Sequence, residues 1–433
     1  MKSYIGLGLL GLGNVGSAVI RALASRAEYL EKQIGREFQV RQVLVRDLDK
    51  ARDVSLAGIE LTTDFDALLA DGEMQVIVEL MGGVEPANTY LRRALIAGKH
   101  VVTANKELMA ANGPELLDLA SENNRDLYFE ASVGGGIPLI GPFRQDLAAN
   151  QISEVHAILN GTTNFILTEM RSGLSDYESA LSGAQMRGYA ESDPNNDVQG
   201  HDSAAKIAIL ASLAFKSTVR SDDVFREGIS GIQAADFRYA EELGYGIKLL
   251  AIAKRRPDGL EVRVHPTLIE SDVSLNQVDG VFNAVRLDGD LLGRALFVGR
   301  GAGAEPTSSA IVSDLIDLAH NLRQGVHNRI PHKVVDVLSI CPMSSIRSRY
   351  YFRLWVSDTP GVLARIGSIC GEYGISVASV IQKETDANAG RAELVFLTHE
   401  AREADFREAI EAMSQLDVVG KVESTFRVES LVE

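Results

Sequence analysis

The chain has 433 residues, 45% hydrophobic and 24% charged, with a formal net charge of −16. That length exceeds one ordinary core and asks for two or three domains, and the acidic balance argues against a nucleic-acid or anionic-membrane surface. The only cysteines, Cys341 and Cys370, are too few for a disulfide framework, and the eight histidines show no metal-ligand spacing. The longest apolar stretch, 207–215 broken only by Ser212, falls far short of the roughly 20 residues of a membrane span. No cleavable leader pattern opens the sequence, so the expectation is a cytoplasmic enzyme with a small-molecule substrate and neither nucleic acid nor membrane as partner.

In chain order, an apolar strand over Tyr4–Leu10 runs into Gly11-Leu12-Gly13-Asn14-Val15-Gly16 and then a helical pattern through Val19, Ile20 and Leu23. This is G-x-G-x-x-G between strand and helix, the setting in which a dinucleotide pyrophosphate meets a helix N-terminus. A second strand, Phe38–Val45, ends in Arg46-Asp47 with Lys50 and Arg52 close behind. An arginine there suits the 2′-phosphate of NADP(H), an acid the ribose of NAD(H). The order favours NADP(H), with NAD(H) possible. Strands at 75–80, 100–103 and 127–130 alternate with helices at 86–97 and 114–122, which predicts a parallel sheet covered on both faces. Thr103 and Lys106 then fall at the carboxyl edge of a strand, where such sheets bind ligands, with Met81-Gly82-Gly83 beside them. Next, "FEASVGGGIP" offers either a hinge between domains or a ring of carbonyl oxygens that, with Glu130, could hold a hard cation.

Beyond Gly136 the alternation stops. Strands at 152–159, 260–264, 282–286 and 295–298 with helices at 165–171, 177–187 and 207–215 predict an α+β domain, whose sheet face or edge is a candidate dimer surface. The helix that begins at Asp202 carries Lys206 on a face shared with Ile209, Leu210 and Leu213. A buried lysine needs carboxylate partners or a shifted pKa. Asp202 lies at i−4, and Glu191, Asp193 and Asp197 sit in the loop before it. Two readings fit: a salt-bridged helix start, or a catalytic ammonium held by acids.

The segment from Ala184 through Gly188-Tyr189-Ala190-Glu191, Asp193-Pro194, Asp197-Val198, Gly200 and Asp202 to Lys206 resembles the signature of homoserine dehydrogenases. "LNGTTNFIL", "TANKELMA", "EASVGGGIP" and "GRGAGAEPT" look like the family's other blocks, and the resemblance runs from the glycine fingerprint to about Pro342. It implies reversible reduction of L-aspartate 4-semialdehyde to L-homoserine by NAD(P)H. By matching position, Lys206 is the proton donor and Lys106 the second active-site lysine, at the cofactor end. Glu191, Asp202 and Asp197 fall to the substrate, and Gly188 and Gly303 lie beside the nicotinamide nucleotide. Glu130, Val133, Gly135 and Ile137 match a monovalent-cation loop for sodium or potassium, which displaces the plain hinge. The helix at 307–322 is expected to pack back on the nucleotide domain.

After an aperiodic linker, strand 351–356, the turn Asp358-Thr359-Pro360-Gly361 and helix 362–373 open a βαββαβ order, which is ferredoxin-like. The strand–DxPG–helix start resembles ACT domains, which implies an amino-acid effector, L-threonine by the resemblance, at Asp358 and Gly361. The alternative is an assembly module without a ligand. The expected plan is therefore a nucleotide domain over 1–136 completed by 305–325, a catalytic and dimerisation domain over 137–304, a linker over 326–349 and an ACT domain over 350–433, assembled as a homodimer or homotetramer. An aspartate-semialdehyde dehydrogenase would need a cysteine nucleophile, and neither cysteine lies in the catalytic blocks. A non-catalytic amino-acid sensor would have no use for Glu191, Asp202, Lys106 and Lys206 together. No kinase segment precedes Met1 in the sequence, which sets the expectation apart from the bifunctional kinase fusions.

Overall fold

The computed structural model describes residues 4–173, 175–330, 334–386 and 389–431, so part of the expected linker (331–333) lies outside the described residues. Its first elements are β1 (Tyr4–Leu10), α1 (Asn14–Ser25), α2 (Ala27–Ile34), β2 (Glu37–Leu44), β3 (Glu60–Thr62), α3 (Phe65–Ala70), β4 (Met74–Glu79), α4 (Ala87–Ile96), β5 (His100–Thr103), α5 (Lys106–Glu122) and β6 (Leu127–Tyr128). The six strands pair in parallel in the order β3-β2-β1-β4-β5-β6. Leu7, Leu9, Val76, Val78 and Val102 are fully buried, as expected of strands covered on both faces. The order reverses between β1 and β4, the switch point where open α/β sheets bind ligands. One expectation fails: α5 starts at Lys106, not Pro114. Asn105 caps it by accepting from the Leu108 amide, and that satisfied start outweighs a proline inside the helix.

The chain continues through α6 (Ile140–Arg144), β7 (Ile152–Ile158), α7 (Gly161–Gly173), α8 (Tyr177–Met186), α9 (Asn195–Val198), α10 (His201–Phe215), β8 (Phe225–Arg226), α11 (Ala234–Glu242), β9 (Tyr245–Arg256), β10 (Gly259–Glu270), β11 (Phe282–Gly289), β12 (Gly293–Arg300) and α12 (Ala304–Gln324). The β9–β10 hairpin is much longer than the short strand read at 260–264, and β9 was not anticipated at all. Nine consecutive residues of β9 are buried, so its sequence has no alternation to betray a strand.

Last come β13 (Arg347–Ser357), α13 (Val362–Glu372), β14 (Val377–Asp386), β15 (Arg391–Thr398), β16 (Ala401–Arg402), α14 (Glu403–Ser414) and β17 (Val419–Glu429). The four long strands run β17-β13-β15-β14 with antiparallel neighbours, the ferredoxin-like arrangement of an ACT fold.

Two compact units emerge. The first comprises Met1–Val155, Ala205–Asp223 and Asn283–Leu338. Here α12 buries Ile311, Leu315 and Leu318 in the same core as Ile5, Leu7 and Val19. The second comprises His156–Ala204, Val224–Phe282 and Ser339–Glu433, in which β10 pairs in parallel with β17. The ACT strands thus extend the sheet of the preceding hairpin. Buried charges accompany the join: Glu429 contacts Lys254, Arg263 Nη2 at 2.7 Å and His156 at 3.3 Å. On the same side Arg427 bonds Glu227 at 2.6 Å and Glu403 at 2.9 Å.

Candidate functional site

In the first unit the glycine fingerprint has three distinct local reasons. Gly11 sits at φ +103°, where a side chain is strained, and a Cβ at Gly16 would lie 2.7 Å from the Gly11 carbonyl. Gly13 faces open space, the free approach that a pyrophosphate requires. It also precedes the first turn of α1, whose start receives no side-chain cap; Leu12, Asn14 and Val15 remain partly or fully exposed around that turn. At the end of β2, Arg46 is exposed, while Arg52 folds onto the carbonyls of Leu48 and Lys50 and so shapes the loop from within.

Beside it, the ends of β4 and β5 are locked together by Glu79, which sequence reasoning missed. Its buried carboxylate accepts from the Thr103 hydroxyl at 2.6 Å and the Met81 amide at 2.7 Å. Asn105 donates to the Gly83 carbonyl at 2.7 Å, and its amide donates to Thr103 Oγ1 at 3.0 Å. Burial pushes the Glu79 pKa up against these hydrogen bonds. Thr103 is fully buried with its hydroxyl engaged in this lock, which leaves its backbone as the part that could meet a cofactor. Lys106, the first residue of α5, is half-buried directly beyond this lock.

The glycine loop is anchored through its acid. The Glu130 carboxylate accepts from three backbone amides, Leu139 at 2.6 Å, Ile140 at 2.9 Å and Gly141 at 2.7 Å. Those bonds hold the side chain in place and use three of its roughly four acceptor positions, so the backbone carbonyl oxygens of 130–137 would be the main ligands of any cation held here. Val133 and Ile137 are buried, and a Cβ on Gly135 would strike the Gly301 carbonyl at 2.6 Å, so the loop is fixed backbone to backbone. Gly303 caps α12 at φ +122°. Behind the loop, burial and the nearby Glu130 push the Asp314 carboxyl well up.

The second unit holds the acids. Asn160, at the start of α7, donates to Asp197 Oδ1 at 2.7 Å and to Asp202 Oδ2 at 2.8 Å. One amide group thereby brings together a loop acid and a helix acid, and Asp202 is only 2% exposed. Glu191 is exposed, in the loop that Gln185 holds through the Glu191 carbonyl at 3.1 Å. Gly188, at φ +73°, ends α8. Along α10, whose residues up to Ala204 belong to the second unit and from Ala205 to the first, Lys206 follows Asp202 by one turn and is 7% exposed, an ammonium placed in a strongly apolar helix. In the ACT turn Asp358 and Gly361 are exposed, and Gly361 takes φ +96° as the cap of α13.

Family models described as "Homoserine dehydrogenase, NAD binding domain", "Homoserine dehydrogenase" and "ACT domain" match residues 11–130, 138–316 and 350–418. Homoserine dehydrogenases of Synechocystis sp. and Bacillus subtilis are 43% and 42% identical, over 98% of this chain and 99% and 98% of theirs. This chain belongs to the homoserine dehydrogenase family. Among solved structures, a homoserine dehydrogenase from Thiobacillus denitrificans is similar at TM-score 0.92 and 42% identity, covering 98% of both chains. A hyperthermophilic archaeal homoserine dehydrogenase in complex with NADPH aligns over 73% of this chain and 97% of its own at TM-score 0.61 and 26% identity. The homoserine dehydrogenase assignment makes the chain an oxidoreductase acting on a CH–OH group, with an NAD(P)-binding domain and an ACT domain. No helix among the described residues is long and apolar enough to cross a membrane.

Proposed function

We propose that the chain interconverts L-homoserine and L-aspartate 4-semialdehyde, with NADPH preferred over NADH, in cytoplasmic threonine, methionine and isoleucine biosynthesis. The observation that carries this reading is the pair of acids gathered by Asn160 one helical turn before a buried lysine. Asp202, with Asp197 and Glu191, supplies negative charge for the substrate's ammonium. Lys206 gives its proton to the carbonyl oxygen during reduction and takes it back during oxidation, as a general acid and base. The nicotinamide supplies or accepts the hydride when bound. Gly11, Gly13 and Gly16 with the α1 N-terminus hold its pyrophosphate, Arg46 reads the 2′-phosphate, and Lys106 and Gly188 with Gly303 lie toward the nicotinamide end. A sodium or potassium ion would be held by carbonyls of Glu130, Val133, Gly135 and Ile137, stiffening the loop by charge.

The ACT turn at Asp358–Gly361 is the proposed site of an amino-acid effector, with L-threonine the candidate, its carboxylate on the α13 N-terminus. We also propose a homodimer or homotetramer. Leu292, Leu296 and Val298 are exposed on or beside β12, which ends its sheet, and an apolar edge of that kind invites pairing. Turnover of L-homoserine by the purified chain with NADP⁺ and with NAD⁺ tests the assignment. Activity with neither would overturn it.

A further inference from the structure

Three residues far apart in sequence meet at the end of the nucleotide-domain sheet opposite to the proposed cofactor edge. His100 begins β5, Asp126 precedes β6, and His327 follows α12, all within the first unit. Each offers one ligand atom, and the three atoms lie within 4.8 Å of one another. Asp126 Oδ2 is 3.2 Å from His100 Nδ1 and 3.6 Å from His327 Nδ1.

The electrostatics of this contact are unusual. The Asp126 amide donates to His100 Nδ1 at 3.0 Å, so that nitrogen presents a lone pair and not a proton. A carboxylate oxygen 3.2 Å away then faces an acceptor. On the other side, 3.6 Å is too long for a hydrogen bond from His327. Asp126 Oδ2 and His327 Nδ1 are both buried atoms with no hydrogen-bond partner among the described residues. Such orphans are uncommon and call for a cause. The partner oxygen, Asp126 Oδ1, is by contrast well held, by the Asn328 amide at 2.7 Å and Asn321 Nδ2 at 3.4 Å. The carboxylate is thus fixed so that its unbonded oxygen points between two imidazoles.

We infer that His100, Asp126 and His327 form a site for a divalent transition-metal ion such as Zn²⁺. Bonds of ~2.0–2.1 Å at tetrahedral angles set ligand atoms about 3.4 Å apart, a spacing that lies between the two contacts to Asp126, 3.2 Å and 3.6 Å. The ion would satisfy both orphan atoms without breaking any existing bond to them, and would take the His100 lone pair in exchange for the Asp126 amide. Asn321 and Asn328 act as the outer partners that orient the carboxylate. Asp126 and Asn328 also border a cavity of about 440 Å³. Because β5 separates His100 from Thr103 at its other end, the ion's role is to pin the segment after α12 to the sheet, not to take part in hydride transfer.

Zn²⁺ titration of the full chain by calorimetry tests this, alongside His327→Ala, which alters a side chain 27% exposed and so spares the core. The expected result is one Zn²⁺ per chain and a raised melting temperature, both lost in His327→Ala. Co²⁺ should give the visible absorption of a four-coordinate ion in the unaltered chain only. Asp126→Asn, which keeps shape but removes charge, should weaken binding in the same way. The inference is overturned if the unaltered chain binds no Zn²⁺, or if it and His327→Ala bind with equal stoichiometry and affinity.

Discussion

Asn160 shows at the scale of one residue why a site can be half legible. Lys206, Asp202 and the glycine fingerprint could be read because each derives its meaning from neighbours within a few positions. Asn160 and Glu79 could not, because their partners stand 37 and 42 residues away in one case and 24 in the other. Asn160→Ala leaves two neighbouring carboxylates without their common donor, so the KM for L-homoserine should rise by the equivalent of about 1.5–3 kcal/mol, the value of a hydrogen bond to a charged group. The KM for the nucleotide should stay put. Steady-state kinetics with each substrate varied would show it, and a rise in the nucleotide KM instead would take Asn160 out of the substrate's charge balance. Arg46→Ala should raise the KM for NADPH by a similar amount and leave NADH almost unaffected. Equal losses with both nucleotides would remove Arg46 as reader of the 2′-phosphate.

Among elements, β17 has the consequence that sequence could not foresee. The βαββαβ order identified an ACT-like fold, but not that its last strand would pair with β10 and bring Glu429 against Lys254 and Arg263. Long-range strand pairing leaves no local mark. Burial alone would raise the Glu429 pKa; Lys254 and Arg263, with His156, hold it well below the ordinary range. The Glu403 carboxyl is likewise held down by Arg427 against burial. A lowered folded-state pKa contributes stability above the unfolded value of about 4.3 and loses it as pH falls through the folded value. Denaturant unfolding should therefore show stability falling on acidification below that value. Glu429→Gln should cost about 3–5 kcal/mol at neutral pH and flatten that fall. An unchanged pH profile in Glu429→Gln would show that this carboxylate is not what the acid limb reports. For β12 as the proposed interface, the expected outcome is an oligomeric mass by light scattering for the unaltered chain and a monomeric mass for Leu296→Asp; an unchanged mass would place the interface elsewhere.

Taken as a whole molecule, the chain holds a nucleotide-binding unit and a second unit in which the ACT strands extend the sheet of the β9–β10 hairpin. Truncation before β13 is consequently a poor test of regulation, since it removes Glu429 from Arg263 and Lys254. Gly361→Asp is cleaner: the site is exposed and open, and the cost is confined to a positive φ at the cap of α13. It should leave turnover intact and abolish any inhibition by L-threonine; inhibition that persists would move the effector away from this turn. The central claim, that Lys206 moves the proton while the nicotinamide exchanges hydride, is tested most directly by Lys206→Ala. The account predicts a kcat lower by roughly 10²- to 10⁴-fold with nucleotide affinity unchanged. A variant that turns over L-homoserine at nearly the original rate would contradict it and leave Lys206 a structural ion-pair partner.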